Sequence, residues 1–311
     1  MFENRSIKYS IVNENEITIN LPEEFNFKVN LGYLLREKNE CMFEIEEERI
    51  TRVIAVGENR ALVQISENDQ QQLVVRFLDG TRPQKGWQRD QIIEYIIEWF
   101  DLENDLSHFY KMAATDQLLK NPIQDFYGLR NIGIPDLFEA LCWGIIGQQI
   151  NLTYAYTLKR RFVEKFGESI EWNEKKYWIF PTYDKIAKLT PDDLADMKMT
   201  VKKSEYIIGI AQLMEIGELS KDNLMLLKDF KRAEKKLIKI RGIGPWTANY
   251  VLMRCLRFPN AFPIDDVGLI NSIKTLAGLD RKPTKEEIME YAAPWRNWES
   301  YATFYLWRVL Y

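Results

Sequence analysis

Two adjacent carboxylates, Asp265 and Asp266, are the residues of this chain best suited to electrostatic catalysis. They end the proline-bearing segment FPNAFPIDD. A carboxylate can stabilise positive charge that develops on a reacting carbon, and it can orient an attacking water. The chain has a single histidine, His108, so we expect neither a histidine-based zinc site nor a Ser–His–Asp triad. Acid–base chemistry is therefore assigned to the carboxylates, and His108 to an ordinary helix position.

A glycine hairpin, Gly242-Ile243-Gly244, precedes the carboxylates and separates two predicted helices. Glycine permits backbone conformations and close approaches that a Cβ atom would block. Pro245 fits the first position of the second helix, where its fixed φ is suitable and no N–H is needed. Backbone N–H groups at a helix N-terminus attract anions. We therefore expect the hairpin to bind a phosphate group.

Charge is distributed unevenly along the chain. The formal net charge of −4 is by itself unfavourable for binding nucleic acid. Residues 1–50 have a local net charge of −5, whereas residues 231–257 have a local net charge of +7. The basic residues of the second segment are Lys231, Arg232, Lys235, Lys236, Lys239, Arg241, Arg254 and Arg257. Because this basic block contains the glycine hairpin, we expect it to contact a polyanion.

Composition indicates a globular protein without membrane spans or a disulfide framework. Apolar residues make up 46% of the chain and charged residues 28%, which is ordinary for a globular protein. No run of about 18 apolar residues occurs. The chain starts with MFENRSIKYS, which is polar and lacks the apolar core of a secretory signal. Cys41, Cys142 and Cys255 are widely separated, which fits a reducing compartment, so we expect a cytoplasmic protein.

Hydrophobic periodicity divides the chain into a β-rich part and a helical part. Short alternating runs predict strands at ITIN, MFEIEE, RITRVIAV, RALVQIS and QLVVRFL. A stripe at helical spacing follows, formed by Ile92, Ile93, Ile96, Ile97 and Phe100. From about residue 87 nearly all of the chain is predicted to be helical, with a break at Pro191. We predict an α+β fold, with a small antiparallel β-rich domain over residues 1–105 and a mainly helical domain over residues 106–311.

A second motif, IPDLFEALCWGIIGQQINLTYA, lies in the helical part. Pro135-Asp136 is typical of a helix start. This helix meets a glycine break followed by Gln148 and Gln149. Two glutamines at such a break suit a turn that presents amides at a surface, although the pattern alone favours a core helix followed by a loop.

These residues resemble the helix–hairpin–helix DNA glycosylase superfamily, and within it the alkylbase branch of the 3-methyladenine DNA glycosylase II type. The resemblance is carried by IIGQQI (145–150), IRGIGPWTANY (240–250), FPIDD (262–266) and Trp307. It covers residues 105–311 well, and residues 1–100 match in pattern only. It implies a β-rich N-terminal domain like that of TATA-binding-protein folds, followed by a helical core of two sub-domains.

The resemblance also implies roles for individual residues. Asp266 matches the catalytic aspartate of the alkylbase branch. Asp265 would be the catalytic residue instead if the shorter spacing of oxidised-guanine glycosylases applied. With Asp266 catalytic, Asp265 is expected to cap the next helix. Trp246, Tyr250 and Trp307 match a pocket that stacks on the flipped base. The hairpin residues match the phosphate clamp, and Gln149 occupies the position of the wedge that fills the gap in the duplex.

The activity that the resemblance implies is hydrolysis of the N-glycosidic bond of alkylated purines in base excision repair. The implied partner is double-stranded DNA with a damaged base, bound by a monomer. The resemblance implies no organic cofactor and no divalent metal. It does imply a monovalent cation at the hairpin. Two alternatives remain open: an oxidised-guanine glycosylase, and a non-catalytic helix–hairpin–helix protein that only binds DNA. A pure binder would have no need of Asp266.

Strand cleavage provides a first test. Bifunctional relatives carry a lysine just after the hairpin as a Schiff-base nucleophile, and this chain has Trp246 there. We therefore expect no covalent protein–DNA adduct when turnover on damaged DNA is quenched with borohydride. Adduct at stoichiometric yield would identify another lysine as nucleophile and would overturn the monofunctional assignment.

Overall fold

The computed structural model describes residues 7–310, so the polar start of the chain, MFENRS, lies outside the described residues. An antiparallel sheet forms the N-terminal part, with the order β1-β2-β6-β5-β4-β3. Its strands are β1 (Tyr9–Asn13), β2 (Glu16–Asn20), β3 (Glu44–Glu46), β4 (Arg49–Val56), β5 (Asn59–Glu67) and β6 (Gln72–Phe77). All five predicted strand runs are confirmed, and four of them, β2, β4, β5 and β6, are rich in β-branched residues and largely buried.

Helix α1 (Phe27–Leu34) was not predicted and interrupts the β-rich region. Its start has a local cause, since the Asn26 side chain caps the helix by accepting a hydrogen bond from the Val29 amide at 3.1 Å. Strand β1 was also missed, and it lies at the edge of the sheet with all of its residues exposed.

The remainder of the described chain is mainly helical, as predicted. Its helices are α2 (Gly86–Trp99), α3 (Ser107–Ala113), α4 (Pro122–Asp125), α5 (Leu137–Ile146), α6 (Leu152–Phe166), α7 (Tyr183–Ile186), α8 (Val201–Glu215), α9 (Lys221–Met225), α10 (Phe230–Ile238), α11 (Pro245–Arg254), α12 (Val267–Leu276), α13 (Lys285–Ala292) and α14 (Glu299–Arg308). The predicted stripe of α2 is buried, and a 3₁₀ helix begins at Pro191. Over residues 7–310, the helices lack the combined length and apolar character that crossing a membrane requires.

The predicted domain border falls between α2 and α3, but apolar residues from both sides of it pack into a continuous core. The border at residue 105 stays a prediction. His108 is exposed on α3, as expected for an ordinary helix position.

A β-hairpin within the helical part corrects the prediction that nearly all of this region is helix. Strands β7 (Glu168–Trp172) and β8 (Lys175–Ile179) pair antiparallel through a two-residue turn, Asn173-Glu174. Both turn residues have positive φ, 49° and 63°, which is the backbone conformation that tight hairpins require. Tyr177 packs with Val53 of β4, so the hairpin covers part of the N-terminal sheet. The alternation of apolar and polar residues that forms this hairpin is present in the sequence, but each run is only five residues long.

A buried ion cluster joins the two parts of the fold. Lys159 on α6 lies 3.0 Å from the Glu139 carboxylate on α5 and 3.3 Å from that of Glu40, which precedes β3. All three side chains are nearly inaccessible, at 6%, 8% and 11% exposure. Burial alone would raise the pKa of Glu40, but the Lys159 charge and the amides of Met42 and Cys41 hold that pKa below its ordinary value.

Removal of the shared cation is expected to destabilise the protein. Lys159→Met leaves two buried carboxylates without their shared cation, and the loss of one partner of a buried ion pair costs about 3–5 kcal/mol. Urea unfolding at neutral pH measures the loss, and Arg49→Met, at an exposed ion pair, is the control. The pKa of Glu40 is lower in the folded protein than in the unfolded chain, where it is near 4.5. The ionised Glu40 therefore contributes its full stabilisation of the fold above the unfolded-state pKa, and this stabilisation is lost as the pH falls through the folded-state pKa. Equal stability of Lys159→Met and Arg49→Met would contradict the inferred role of the cluster.

Candidate active site

The glycine hairpin connects α10 to α11 and needs its first glycine for two reasons. Gly242 has a φ of +93°, in the region that favours glycine. A Cβ atom there would also lie 2.3 Å from the ring of Tyr206 on α8. Gly244 differs, because its φ is −89° and a Cβ atom would point into open space. The fold therefore does not require glycine at residue 244, but its lack of a side chain leaves the backbone there open to an external group.

The hairpin amides are only partly available to an anion. In the described part of the chain, the amides of Gly242 and Gly244 have no hydrogen-bond acceptor. The Ile243 amide donates to the Ile240 carbonyl at 3.0 Å, and the Ile243 side chain is 3% exposed. This corrects the prediction for Ile243, which anchors the turn in the core rather than offering a free donor.

Asp266 is placed by the loop that leaves α11. Asn249 holds this loop, because its side-chain oxygen accepts a hydrogen bond from the Phe262 amide at 2.9 Å. Helix α12 starts at Val267, and its cap is Asp266, whose Oδ1 accepts from the Leu269 amide at 2.9 Å. The capping role expected of Asp265 was therefore wrong by one residue.

Asp265 points elsewhere. Its carboxylate forms an ion pair at 2.7 Å with Lys285, and 48% of its side chain is exposed. It still borders the same cleft as Asp266.

Two indole N–H groups converge on the Asp266 carboxylate. Trp246 Nε1 donates to Oδ2 at 2.9 Å, and Trp307 Nε1 donates to Oδ1 at 2.7 Å. Tyr250 stacks on Trp246 with ring centroids 5.5 Å apart, and it lies 6.0 Å from the ring of Trp307. The chain thus brings all three predicted pocket aromatics to Asp266. Gly268 makes room for this arrangement, since a Cβ atom there would come within 3.2 Å of the Trp307 ring.

The two sequence motifs meet through Gln148. Its side-chain amide donates to the Gly242 carbonyl at 2.9 Å and to the Thr247 hydroxyl at 3.2 Å. Lys203 on α8 donates to the main-chain carbonyls of Ile146 and Gln148 at 2.9 and 2.8 Å. Burial lowers the pKa of this lysine. These bonds fix the turn after α5 against the hairpin.

Gln149 lies at the tip of that turn. Its side chain is exposed, and its φ of +58° is unusual for a residue with a Cβ atom. Its neighbour Gln148 is bonded to the hairpin, and the exposed Gln149 side chain borders the cleft. A protruding side chain beside the hairpin is the geometry that the wedge position requires, although its role stays a prediction.

An open cleft of about 770 Å³ lies between these elements. It includes Asp266, the three aromatics and the Gln148–Gln149 turn. The cleft residues that sequence analysis did not assign include Tyr33 and Arg36, which belong to the β-rich part, and Trp143 on α5. No sequence signal places a residue near position 36 beside one near position 266, because their contact is tertiary.

The basic block divides into two groups. Lys231, Arg232, Lys235, Lys239 and Arg241 are exposed, and Lys236 is half-buried on the same helix. Arg254 is only 4% exposed, and Arg257 donates to main-chain carbonyls at Asn131 and Glu98. The last two residues therefore stabilise the fold, which corrects their assignment to the polyanion-binding surface.

The described residues contain no cluster of three or more His, Cys, Asp or Glu side chains arranged to hold a metal ion. At the hairpin, the carbonyl oxygens of Ile240 and Gly242 each accept one hydrogen bond, which leaves a second lone pair on each. Oxygen donors of this kind fit a monovalent cation.

Comparison with known proteins finds two family matches, which together span residues 18–297. Residues 142–297 match the family described as "HhH-GPD superfamily base excision DNA repair protein". Residues 18–141 match "8-oxoguanine DNA glycosylase, N-terminal domain".

Curated relatives cover almost the whole chain. A DNA-3-methyladenine glycosylase of Bacillus subtilis is 68% identical over 95% of this chain and 97% of its own length. DNA-3-methyladenine glycosylase 2 of Escherichia coli is 26% identical over 93% of this chain and 96% of its own length. The solved 3-methyladenine DNA-glycosylase of Archaeoglobus fulgidus has the same fold, with a TM-score of 0.78 at 24% identity over 93% of this chain and 96% of that one.

The open space at Gly244 generates a prediction. Gly244→Val places a branched side chain where an approaching phosphate needs the backbone, so we expect roughly 10-fold weaker binding to duplex DNA of any sequence. Gly209→Val, at a helical glycine with no heavy atom near its Cβ position, is the control. Fluorescence anisotropy with an undamaged duplex measures the affinities. If both variants bind like the unsubstituted protein, the hairpin does not contact DNA.

Proposed function

The chain belongs to the HhH-GPD superfamily of base excision DNA repair proteins, and on this premise we propose that it is a monofunctional DNA glycosylase for alkylated purines. It hydrolyses the N-glycosidic bond of bases of the 3-methyladenine and 7-methylguanine type. The observation that carries the proposal is the pair of indole N–H groups directed at Asp266 inside a cleft lined by aromatic rings.

Asp266 acts on the sugar. When the bond between C1′ and the base nitrogen breaks, the bonding electrons leave with the base, and positive charge develops on the sugar. An adjacent carboxylate stabilises this charge and orients the water that attacks C1′. The two indoles and the Leu269 amide hold the carboxylate in position, so it needs no reorientation during the reaction.

The aromatic rings act on the base. A purine in a duplex cannot be reached, so the nucleotide must be flipped into the cleft, which costs least for poorly stacked, damaged bases. Trp246, Tyr250 and Trp307 offer π faces to the flipped base. An alkylated purine is cationic, and attraction of a cation to an aromatic face contributes roughly 0.5–2 kcal/mol.

The hairpin and the basic surface hold the DNA. The free amides of Gly242 and Gly244 bind a backbone phosphate close to the lesion, and the exposed lysines of α10 attract neighbouring phosphates. Gln149 enters the space that the flipped nucleotide leaves. These contacts suit double-stranded DNA, since the wedge replaces a base within a stack.

A monovalent cation held by the Ile240 and Gly242 carbonyls would add positive charge beside the phosphate. This cation, the lack of an organic cofactor, the monomeric state and the cytoplasmic location all stay predictions.

A second candidate, an oxidised-guanine glycosylase, is favoured by one observation: the N-terminal residues match a family described by 8-oxoguanine DNA glycosylase. The residues of the cleft favour alkylated bases instead, and the curated relatives named above are 3-methyladenine glycosylases.

Replacement of Asp266 tests the proposal. Asp266→Asn preserves the shape and can keep the helix cap through Oδ1, but it removes the negative charge and the acceptor for one indole N–H, so we expect base release to slow by roughly 100-fold or more. Duplexes that contain 7-methylguanine, hypoxanthine or oxidised guanine are incubated separately under single-turnover conditions. Alkali then cleaves the abasic sites, and the cleaved strand is quantified.

Asp265→Asn is the matched control, because it removes an adjacent charge that pairs with Lys285 at the surface. We expect it to retain most of the activity. An inactive Asp265→Asn beside an active Asp266→Asn would reverse the assignment. Release of oxidised guanine alone by the unsubstituted protein would favour the second candidate, and release of no base would leave a DNA-binding protein.

A further inference from the structure

Lys203 is a buried lysine that the mechanism above does not use. It lies in the first turn of α8 and is 9% exposed. Burial lowers the pKa of its ammonium group, and no carboxylate of the described chain offsets this effect. Burying a cation is unfavourable unless hydrogen bonds replace its hydration. The hydrogen bonds of Lys203 therefore indicate what the charge does at this position.

The ammonium group of Lys203 holds the end of α5. It donates to the Ile146 carbonyl at 2.9 Å and to the Gln148 carbonyl at 2.8 Å. Helix α5 ends at Ile146, and the last carbonyls of a helix have no N–H partner within that helix. A cation beside them is also favoured by the helix dipole. Lys203 thus supplies from α8 the hydrogen bonds that α5 lacks at its C-terminus.

The bond to Gln148 also anchors the peptide group that leads into Gln149. The Gln148 carbonyl and the Gln149 N–H belong to one planar unit, so a donor that holds the carbonyl orients the whole unit. Gln149 turns away from this plane with a φ of +58°, a left-handed conformation that is unfavourable for a residue with a Cβ atom. The direction of the Gln149 side chain therefore depends on the plane that Lys203 anchors.

Helix α8 contacts the glycine hairpin as well as this turn. The Gln148 side-chain amide donates to the Gly242 carbonyl at 2.9 Å, so Gln148 is held by the hairpin on one side and by Lys203 on the other. Tyr206, one turn further along α8, packs so closely on Gly242 that a Cβ atom there would lie 2.3 Å from its ring. One helix thus sets the position of the hairpin relative to Gln149.

We propose that Lys203 is a positioning residue for the opening of the duplex and that it acts through Gln149. It keeps the Gln149 side chain directed at the space that the flipped nucleotide leaves, in a fixed relation to the phosphate at the hairpin. Lys203 itself does not border the cleft and touches neither the base nor the sugar. This inference rests on the proposed glycosylase function, and it adds a residue that controls how well a paired base is extruded.

The test compares a paired lesion with a mispaired one. Lys203→Met removes the charge and both hydrogen bonds at a similar side-chain length. Single-turnover release of 7-methylguanine is measured at saturating enzyme in two duplexes, with cytosine or with adenine opposite the lesion. Because a mispaired base costs less to flip, we expect release to slow roughly 10-fold from the paired duplex and to change little in the mispaired one. Lys202→Met removes the same charge from the adjacent exposed position and should change neither rate.

A double-mutant cycle tests whether Lys203 acts through Gln149. Gln149→Ala alone should slow release from the paired duplex by a similar factor, and Lys203→Met added to it should cause little further loss. The mispaired duplex serves in both cases to show that the variant is folded.

A pair of substitutions at residue 149 leaves Lys203 in place and keeps the inference testable if Lys203→Met does not fold. Asparagine tolerates a positive φ, whereas the β-branched valine of similar size strongly disfavours it. We therefore expect Gln149→Asn to release the paired base faster than Gln149→Val does.

Several results would contradict the inference. Equal losses on the two duplexes would mean that Lys203 only stabilises the fold, and losses that multiply in the double variant would mean that it acts independently of Gln149. An unchanged paired rate in Lys203→Met, or equal rates for Gln149→Asn and Gln149→Val, would remove the positioning role. Failure of the glycosylase proposal is distinguishable, because the unsubstituted protein would then release the base from neither duplex.

Discussion

The hydrogen bonding of the Asp266 carboxylate is the interaction on which the site depends. Its two oxygens accept N–H groups from Trp246 on α11, Leu269 on α12 and Trp307 on α14. Hydrogen bonds to an ionised acceptor are roughly twice as strong as neutral ones. The two indoles are 20 and 41 residues away in sequence, so the carboxylate is correctly placed only after these helices have packed. Ser272 on α12 donates to the Leu306 carbonyl at 2.6 Å, and this bond holds α14 against α12.

Local signals were sufficient to predict most elements and much of the site. The strand runs, the start of α5 at Asp136 and the hairpin before Pro245 each depend on neighbouring residues, and the structure has them where the sequence indicates. Prediction failed where long-range contacts decide. Nothing near Arg36 in sequence indicates a cleft, and the bonding of Asp265 depends on Lys285, which belongs to a different helix. The Asp266 cap was misassigned because a helix boundary is uncertain by a residue or more from sequence.

The β-rich part is more than an appendage of the helical core. It supplies Tyr33 and Arg36 to the cleft, and the buried contacts of Glu40 with Lys159 fix its position beside α6. The β7–β8 hairpin reaches back across the sheet and adds a second junction. A cleft built from both parts requires that neither shifts relative to the other, and a dense core with two buried junctions meets that requirement.

Burial separates the charges of this protein into two populations that respond differently to dissolved ions. Lys231 and Lys235 of α10 are exposed, so salt screens their charges at distances beyond about 10 Å at 0.1 M ionic strength. The Glu40–Lys159–Glu139 cluster is almost inaccessible, and its ions are screened far less. Concentrated salt can therefore dissociate the enzyme from a duplex while the buried ion cluster between its two parts remains intact. The protein can be released, washed and returned to low salt with its cleft already assembled.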